Sequence, residues 1–236
     1  MKVSTLFRFS IFKTIYFNFK MLPFKQAIKL PIIFMHKTRF INISGSVEIN
    51  GPIKRGMISI GDYHSEMITP LFNTIDLKGK IVFNGAIQIG CGCLLRAEKN
   101  ALIQFGKKNI IGANTKIFSE KFIDIGDYTR IAWETQLFDT NFHYLLNTKD
   151  SSIIQKTGNI ILGNYNWIGN RSSIMKGTIT PDYTIVASNS FCNKDYTKEI
   201  TSESIIGGTP AKLIAKNIIR VFNKQQELDI EKEIIV

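Results

Sequence analysis

The stretch of this chain best equipped to move a proton is Asp139-Thr-Asn-Phe-His143, where a carboxylate, an amide and an imidazole stand at alternate positions. Phe138, Thr140 and Phe142 alternate with them. On an extended backbone the three polar side chains therefore share one face. An imidazole with an ordinary pKa of about 6.5 takes a proton from a hydroxyl at neutral pH and returns it to a departing anion. Asp139 and Asn141 are each suited to hold the ring or to touch the molecule it deprotonates. Two further histidines make weaker candidates: His36 lies in a basic leader, and His64 follows Ile60-Gly-Asp-Tyr63 at an early corner. Both read as surface or packing residues.

The scaffold that must carry His143 is written in a repeat. One position recurs every six residues through Leu162, Ile168, Ile174, Thr180, Val186 and Cys192, mostly followed by a small or turn-forming residue such as Gly163, Gly169, Pro181 or Ala187. A period of six fits neither a helix nor a simple strand alternation, so each unit is a short strand plus a corner. Such units bury an apolar face only by stacking coil on coil into a solenoid. Asn166, Ser172, Thr178, Thr184 and Ser190, four positions after each aliphatic, are small or polar enough for a tight corner.

An earlier run has the same grammar in broken phase: Phe105, Ile111, Ile117, then a two-residue slip to Ile125, Ile131 and Leu137. The slip suggests a wider corner. Echoes at Val47, Ile53, Ile60, Ile89 and Leu95 place the start of winding near residue 41. Three hexads per coil then give about seven coils and a prism about 35 Å long. Between Leu137 and Ile160 the register is lost, and long insertions in repeat scaffolds are usually functional loops. His143 lies in that excursion, residues 138–159.

Composition agrees with one elongated, all-β domain: 236 residues, 44% hydrophobic and 21% charged. No apolar stretch approaches the roughly 20 residues that span a bilayer. The odd number of cysteines, three, argues against a disulfide framework and for buried free thiols in a reducing compartment. Cys91-Gly-Cys93 lacks partners at ligand spacing, so no metal is expected.

Most of the +11 net charge sits in residues 1–40, which hold Lys2, Arg8, Lys13, Lys20, Lys25, Lys29, Lys37 and Arg39 and no acid. Phe7, Phe9, Phe12, Tyr16, Phe17, Phe19 and Phe24 lie between them. This basic, aromatic segment is suited to cap the first coil, to lie on an anionic membrane surface, or both. Arg8 and Lys13 interrupt any signal-peptide core. The small positive excess elsewhere, without a recognised motif, argues against nucleic acid.

Three segments resemble the C-terminal half of the hexapeptide-repeat acyltransferases, which include maltose, galactoside, xenobiotic and polysaccharide acetyltransferases. They are Ile161-Leu-Gly-Asn-Tyr-Asn-Trp-Ile-Gly-Asn170, Ile174-Met-Lys-Gly177 and Ile206-Gly-Gly-Thr-Pro-Ala-Lys-Leu-Ile214. The resemblance covers residues 41 to about 216, and Asp139-Thr-Asn-Phe-His143 looks like the polysaccharide type. It implies a left-handed parallel β-helix over 41–214, between a cap at 1–40 and a C-terminal helix at 215–236. It also implies His143 as general base, acetyl-CoA as acyl donor and a homotrimer with sites between adjacent prisms.

The donor groove needs small residues along the pantetheine arm and cations at the nucleotide end, a plan that Gly169, Ala187, Lys194, Thr209, Pro210 and Lys212 fit. Trp133, Glu134 and Trp167 stand on exterior positions suited to shape an acceptor pocket. The expected reaction is O-acetylation of a sugar hydroxyl on a surface glycan or its precursor, in the cytoplasm or at the inner face of the membrane. The alternative is a non-catalytic β-helix scaffold. Scattered histidines exclude a γ-class carbonic anhydrase pattern. The chain also lacks the N-terminal domains of sugar-nucleotide pyrophosphorylases and serine acetyltransferases.

Overall fold

The computed structural model describes residues 9–62 and 71–234. His64, Lys2, Phe7 and Arg8 lie outside the described residues. Three sheets of nine, seven and six strands, parallel but for the last strand of the nine, take up the chain in rotation. The strand Ile32–Phe34 opens the first face, Thr38–Ile43 the second and Ser46–Ile49 the third, and the order then repeats along the prism. The ladder thus begins ahead of residue 41, where the hexads become legible.

The recurring aliphatics point inward and build the core. All six positions from Leu162 to Cys192 are at most 3% exposed. The residue three after each of the first five is in the left-handed region: Tyr165 (φ 55°), Arg171 (58°), Gly177 (82°), Tyr183 (56°) and Asn189 (58°). That conformation turns the chain onto the next face, at roughly 1 kcal/mol for a non-glycine residue. The next residue offsets the cost from inside the corner. Ser172 Oγ donates to Ala187 O (3.1 Å), Thr178 Oγ1 to Met175 O (2.7 Å), Thr184 Oγ1 to Pro181 O (2.8 Å) and Ser190 Oγ to Ala187 O (2.6 Å). Asn166 Nδ2 does the same with Pro181 O (2.9 Å). Carbonyls that the ladder leaves open are satisfied without water.

The two-residue slip comes with an extra inward pair on the third face. On the third face the earlier strands carry two inward side chains each, as in Phe122–Ile125 with Ile123 and Ile125, or Leu102–Phe105 with Ile103 and Phe105. Ile125 accordingly pairs with Phe105, whereas Thr180 pairs with Leu162 in the tighter coils beyond. An extra pleat lengthens the coil, and the corner before it is built differently, because Glu120 does not take the left-handed conformation that Gly177 takes at the equivalent turn.

Both ends of the core are covered. At the N-terminal end the helix Ile11–Met21 lies across the edge strand Ile32–Phe34. Asn18 Nδ2 donates to Ile32 O (2.7 Å), and Thr14 Oγ1 accepts from Phe34 N (3.1 Å). Phe17 packs against Phe34 and Phe40 with ring centroids 4.9 and 5.5 Å apart. An unpaired sheet edge is thereby closed. At the other end the strand Ala211–Lys216 runs antiparallel to Ser204–Gly208, and Tyr196 and Ile200 bury against the last coil.

The tail is helical only over Lys224–Ile234, so the helix expected from Ala215 starts late. Ala215 and Lys216 finish the last strand. The stretch beyond it straps back along one corner, where Tyr128, Tyr165 and Tyr183 stack at 4.7 and 4.8 Å. Phe222 meets Tyr165 edge-on at 5.6 Å, and the Arg220 guanidinium lies 5.1 Å from the Trp167 ring centre. Ring contacts outcompete the weak helical periodicity of Ile218, Ile219 and Phe222.

Candidate active site

The excursion at 138–159 is a built arm. After the strand Gln136–Phe138 the chain leaves the second face, and Thr140 bridges Thr157 antiparallel. Leu145–Leu146 then pairs with Ile153–Ile154, so the arm is a hairpin closed between Asn147 and Ser152. His143 sits in the bend between these two pairings, exposed to solvent. Among the described residues it makes no hydrogen bond or ion pair, so both ring nitrogens are open to a reactant.

Asp139 does not serve the imidazole, which corrects the catalytic role expected for it. Its side chain is buried and its two oxygens are taken by four donors of the preceding coil. Oδ2 accepts from Ser119 Oγ (2.6 Å), Lys121 N (2.9 Å) and Phe122 N (2.8 Å), and Oδ1 accepts from Glu120 N (2.8 Å). The shared face is also broken. Phe142 adopts φ 65°, and its amide donates to Thr140 Oγ1, so the backbone turns between Asn141 and His143. Asn141 is half-buried, and its backbone amide is fixed to Lys156 O (2.8 Å).

Asp139 instead pins the root of the arm. Phe142 packs against Phe118 (5.1 Å) and Phe138 (5.8 Å), and the Arg96 guanidinium lies over Phe118 at 4.9 Å. Lys156 pairs with Glu120 across the base. The sequence signals missed were Ser119, Glu120 and Phe118, one coil below the histidine. They carry no periodicity of their own and become meaningful only once strands Lys116–Ser119 and Gln136–Phe138 are neighbours.

The other candidates lie on other parts of the prism. Trp133 and Glu134 occupy the corner after the first face, and Glu134 is tied to Arg171 on the next coil (2.7 Å). Trp167 stands on the first face beneath Arg220. At Gly169 two coils approach closely: a Cβ there would lie 2.5 Å from Ser188 N and 2.8 Å from Val186 O. Its amide donates to Val186 O (2.8 Å), and the Ala187 amide donates to Ile206 O (2.8 Å). Neither N–H is left to meet a ligand, so Gly169 and Ala187 offer it no backbone donor.

Lys194 is held by Glu199 through both carboxylate oxygens (2.7 and 2.6 Å). Thr209 and Pro210 form the turn of the terminal hairpin through a cis peptide, and Lys212 follows on its exposed second strand. His36 is exposed in the turn before Thr38. Cys91, Cys93 and Cys192 are all buried and free. Burial pushes the Cys93 and Cys192 thiols up to about 12, which removes them as nucleophiles at neutral pH. Among the described residues no three His, Cys, Asp or Glu gather to hold a metal ion.

No family model matches the chain. Over 133 residues it is 29% identical to a polysialic acid O-acetyltransferase of Escherichia coli O1:K1 / APEC, a stretch covering 56% of this chain and 42% of that protein. Over 62 residues it is 37% identical to a chloramphenicol acetyltransferase of Klebsiella aerogenes, covering 26% and 28% of the two chains. These matches span less than half the length of either relative. The crystal structure of the polySia specific acetyltransferase NeuO superposes with a TM-score of 0.55 at 18% identity, covering 85% of this chain and 99% of that one. At that identity the likeness is one of fold. The resemblance to hexapeptide-repeat acyltransferases is borne out by these relatives and this neighbour.

Proposed function

We propose that this chain is a CoA-dependent O-acetyltransferase that moves an acetyl group from acetyl-CoA to a sugar hydroxyl of a surface glycan or its precursor. The observation that carries the reading is the free imidazole of His143 on a hairpin whose root is pinned by Asp139. A rigid base under an unencumbered ring is what a general base needs. His143 takes the proton of the acceptor hydroxyl as its oxygen attacks the thioester carbonyl. The C–O bond forms, the tetrahedral oxyanion collapses, the C–S bond breaks, and the imidazolium returns the proton to the CoA thiolate.

The first relative is named for polysialic acid, which makes an acidic glycan the first acceptor to try. In this reading the coil is left-handed and the enzyme works as a homotrimer. Tyr144, Leu145, Leu146, Ile153 and Ile154 are all exposed on the arm, an apolar surface suited to the flank of a neighbouring prism. Lys194 and Lys212 supply charge for the nucleotide phosphates, Lys194 by exchanging Glu199 for phosphate. Thr209 and Pro210 border the groove, and Trp133, Glu134 and Trp167 face the acceptor.

The test is acetyl transfer to oligosialic acid and to neutral oligosaccharides. His143→Ala is expected to lower turnover by about 100- to 10,000-fold while calorimetry shows acetyl-CoA binding unchanged. Near-normal turnover in that variant removes His143 as base. No saturable acetyl-CoA binding up to about millimolar concentration favours the scaffold reading.

A further inference from the structure

The helix Ile11–Met21 is apolar on two sides, and among the described residues only one of them has a partner. Thr14, Phe17 and Asn18 face the first coil and are buried. On the opposite side Phe12, Ile15, Tyr16 and Phe19 stand at i, i+3, i+4 and i+7 and are 43–88% exposed. The short helix Phe24–Ala27 continues the surface: Phe24 is 69% exposed, and its ring meets Phe19 at 5.9 Å. Lys20, Lys25 and Lys29 are exposed around these rings, and residues 1–40 contain no Asp or Glu.

We propose that this face is a monotopic membrane-binding surface whose occupant is a bilayer rich in anionic lipids. Phe12, Tyr16, Phe19 and Phe24 enter the boundary between headgroups and acyl chains, and the lysines meet lipid phosphates and carboxylates. Charge selects this occupant over a second copy of the chain. Two such faces would set lysines against lysines with no carboxylate in either patch, whereas an anionic leaflet supplies the missing charge. Among the described residues no helix is long and apolar enough to cross a membrane, so the segment lies on the surface. The cytoplasmic leaflet, rich in anionic lipid, is the surface it fits.

The experiment is flotation of the full chain with vesicles of phosphatidylcholine alone and of phosphatidylcholine with about 30% phosphatidylserine. Flotation is expected with the anionic vesicles, falling at least tenfold in partition coefficient in Phe12→Asp/Phe24→Asp. It is expected to fall about fivefold for each lysine changed to Ala among Lys20, Lys25 and Lys29. Phe12 and Phe24 are exposed, so the variants should retain the parent's melting temperature. Absence of flotation by the parent, or equal flotation of the aspartate variant with an unchanged melt, overturns the proposal. Equal binding to both vesicle types overturns the anionic selectivity. A lipid-free change of oligomeric state in the aspartate variant, with no vesicle binding by the parent, assigns the face to a second copy instead. The assay reads binding alone and stands whether or not the chain proves to transfer acetyl groups.

Discussion

The coils at 160–192 and the arm at 139–158 are built from similar residues to opposite ends. In the coils the aliphatic at each repeat position is inside, each corner hydroxyl or amide meets a carbonyl, and backbone amides are spent on the next coil. In the arm Tyr144, Leu145, Leu146, Ile153 and Ile154 face outward, and the one imidazole has no partner among the described residues. Saturation makes the coils stable and chemically silent. The arm keeps a reactive group free because its stability is borrowed from its root: Asp139, Phe142 and the Lys156–Glu120 pair.

If that division is right, root and coil variants should lose stability, and the arm's own residue should lose only rate. Asp139→Ala leaves Ser119 Oγ and the amides of Glu120, Lys121 and Phe122 without their acceptor, and should cost about 3–5 kcal/mol in urea unfolding. Asp139→Asn, which keeps one carbonyl oxygen, should recover part of that. Ile174→Ala in the coil should cost about 3 kcal/mol and leave the remaining folded protein with parental turnover. His143→Ala should leave the urea midpoint where it is, and a large shift would show that the ring holds the arm together.

The thiols give a gentler test on the coil side. Cys93 and Cys192 are held protonated by burial, with folded values up to about 12 against 9.0 for an ordinary thiol. Between those values the unfolded chain binds fewer protons than the folded one, so their contribution to stability is intact below pH 9.0 and declines above it. Alkylation at about pH 8 should be negligible in the folded protein and rapid in urea. Fast labelling of the native chain would mean the coils open locally. The smallest effect is expected for Lys156→Ala, about 1 kcal/mol or less for a partly exposed pair. Circular dichroism melts against Glu120→Ala and the double variant would isolate the pair.

Much of the coil was readable because burial there obeys one period. Leu162, Ile168 and Ile174 could be assigned inward, and Ser172 or Thr184 to corners, from spacing alone. The slip before Ile125 was visible, but its cause was not, since an extra pleat and a wider corner add the same two residues. The arm's location was legible as a loss of register. Its internal design was not: Asp139 looks catalytic in sequence because its partners, Ser119 to Phe122, become neighbours only through stacking. Gly169 likewise looked like a ligand contact, although its amide and its missing Cβ both serve the coil above. The tail's straightened stretch depended on a tyrosine stack that no local pattern announces.

Gln136 pairs with Ser173 across the arm in the same register in which Lys116 pairs with Gln136 below it. The prism closes over the excursion as though it were absent. The hairpin is in effect a cassette: its length and tip can be exchanged while the insertion points, Phe138 and Ile160, keep their places. Such a scaffold can change the reach of its exposed arm by trading one short segment of gene, with the core inherited intact.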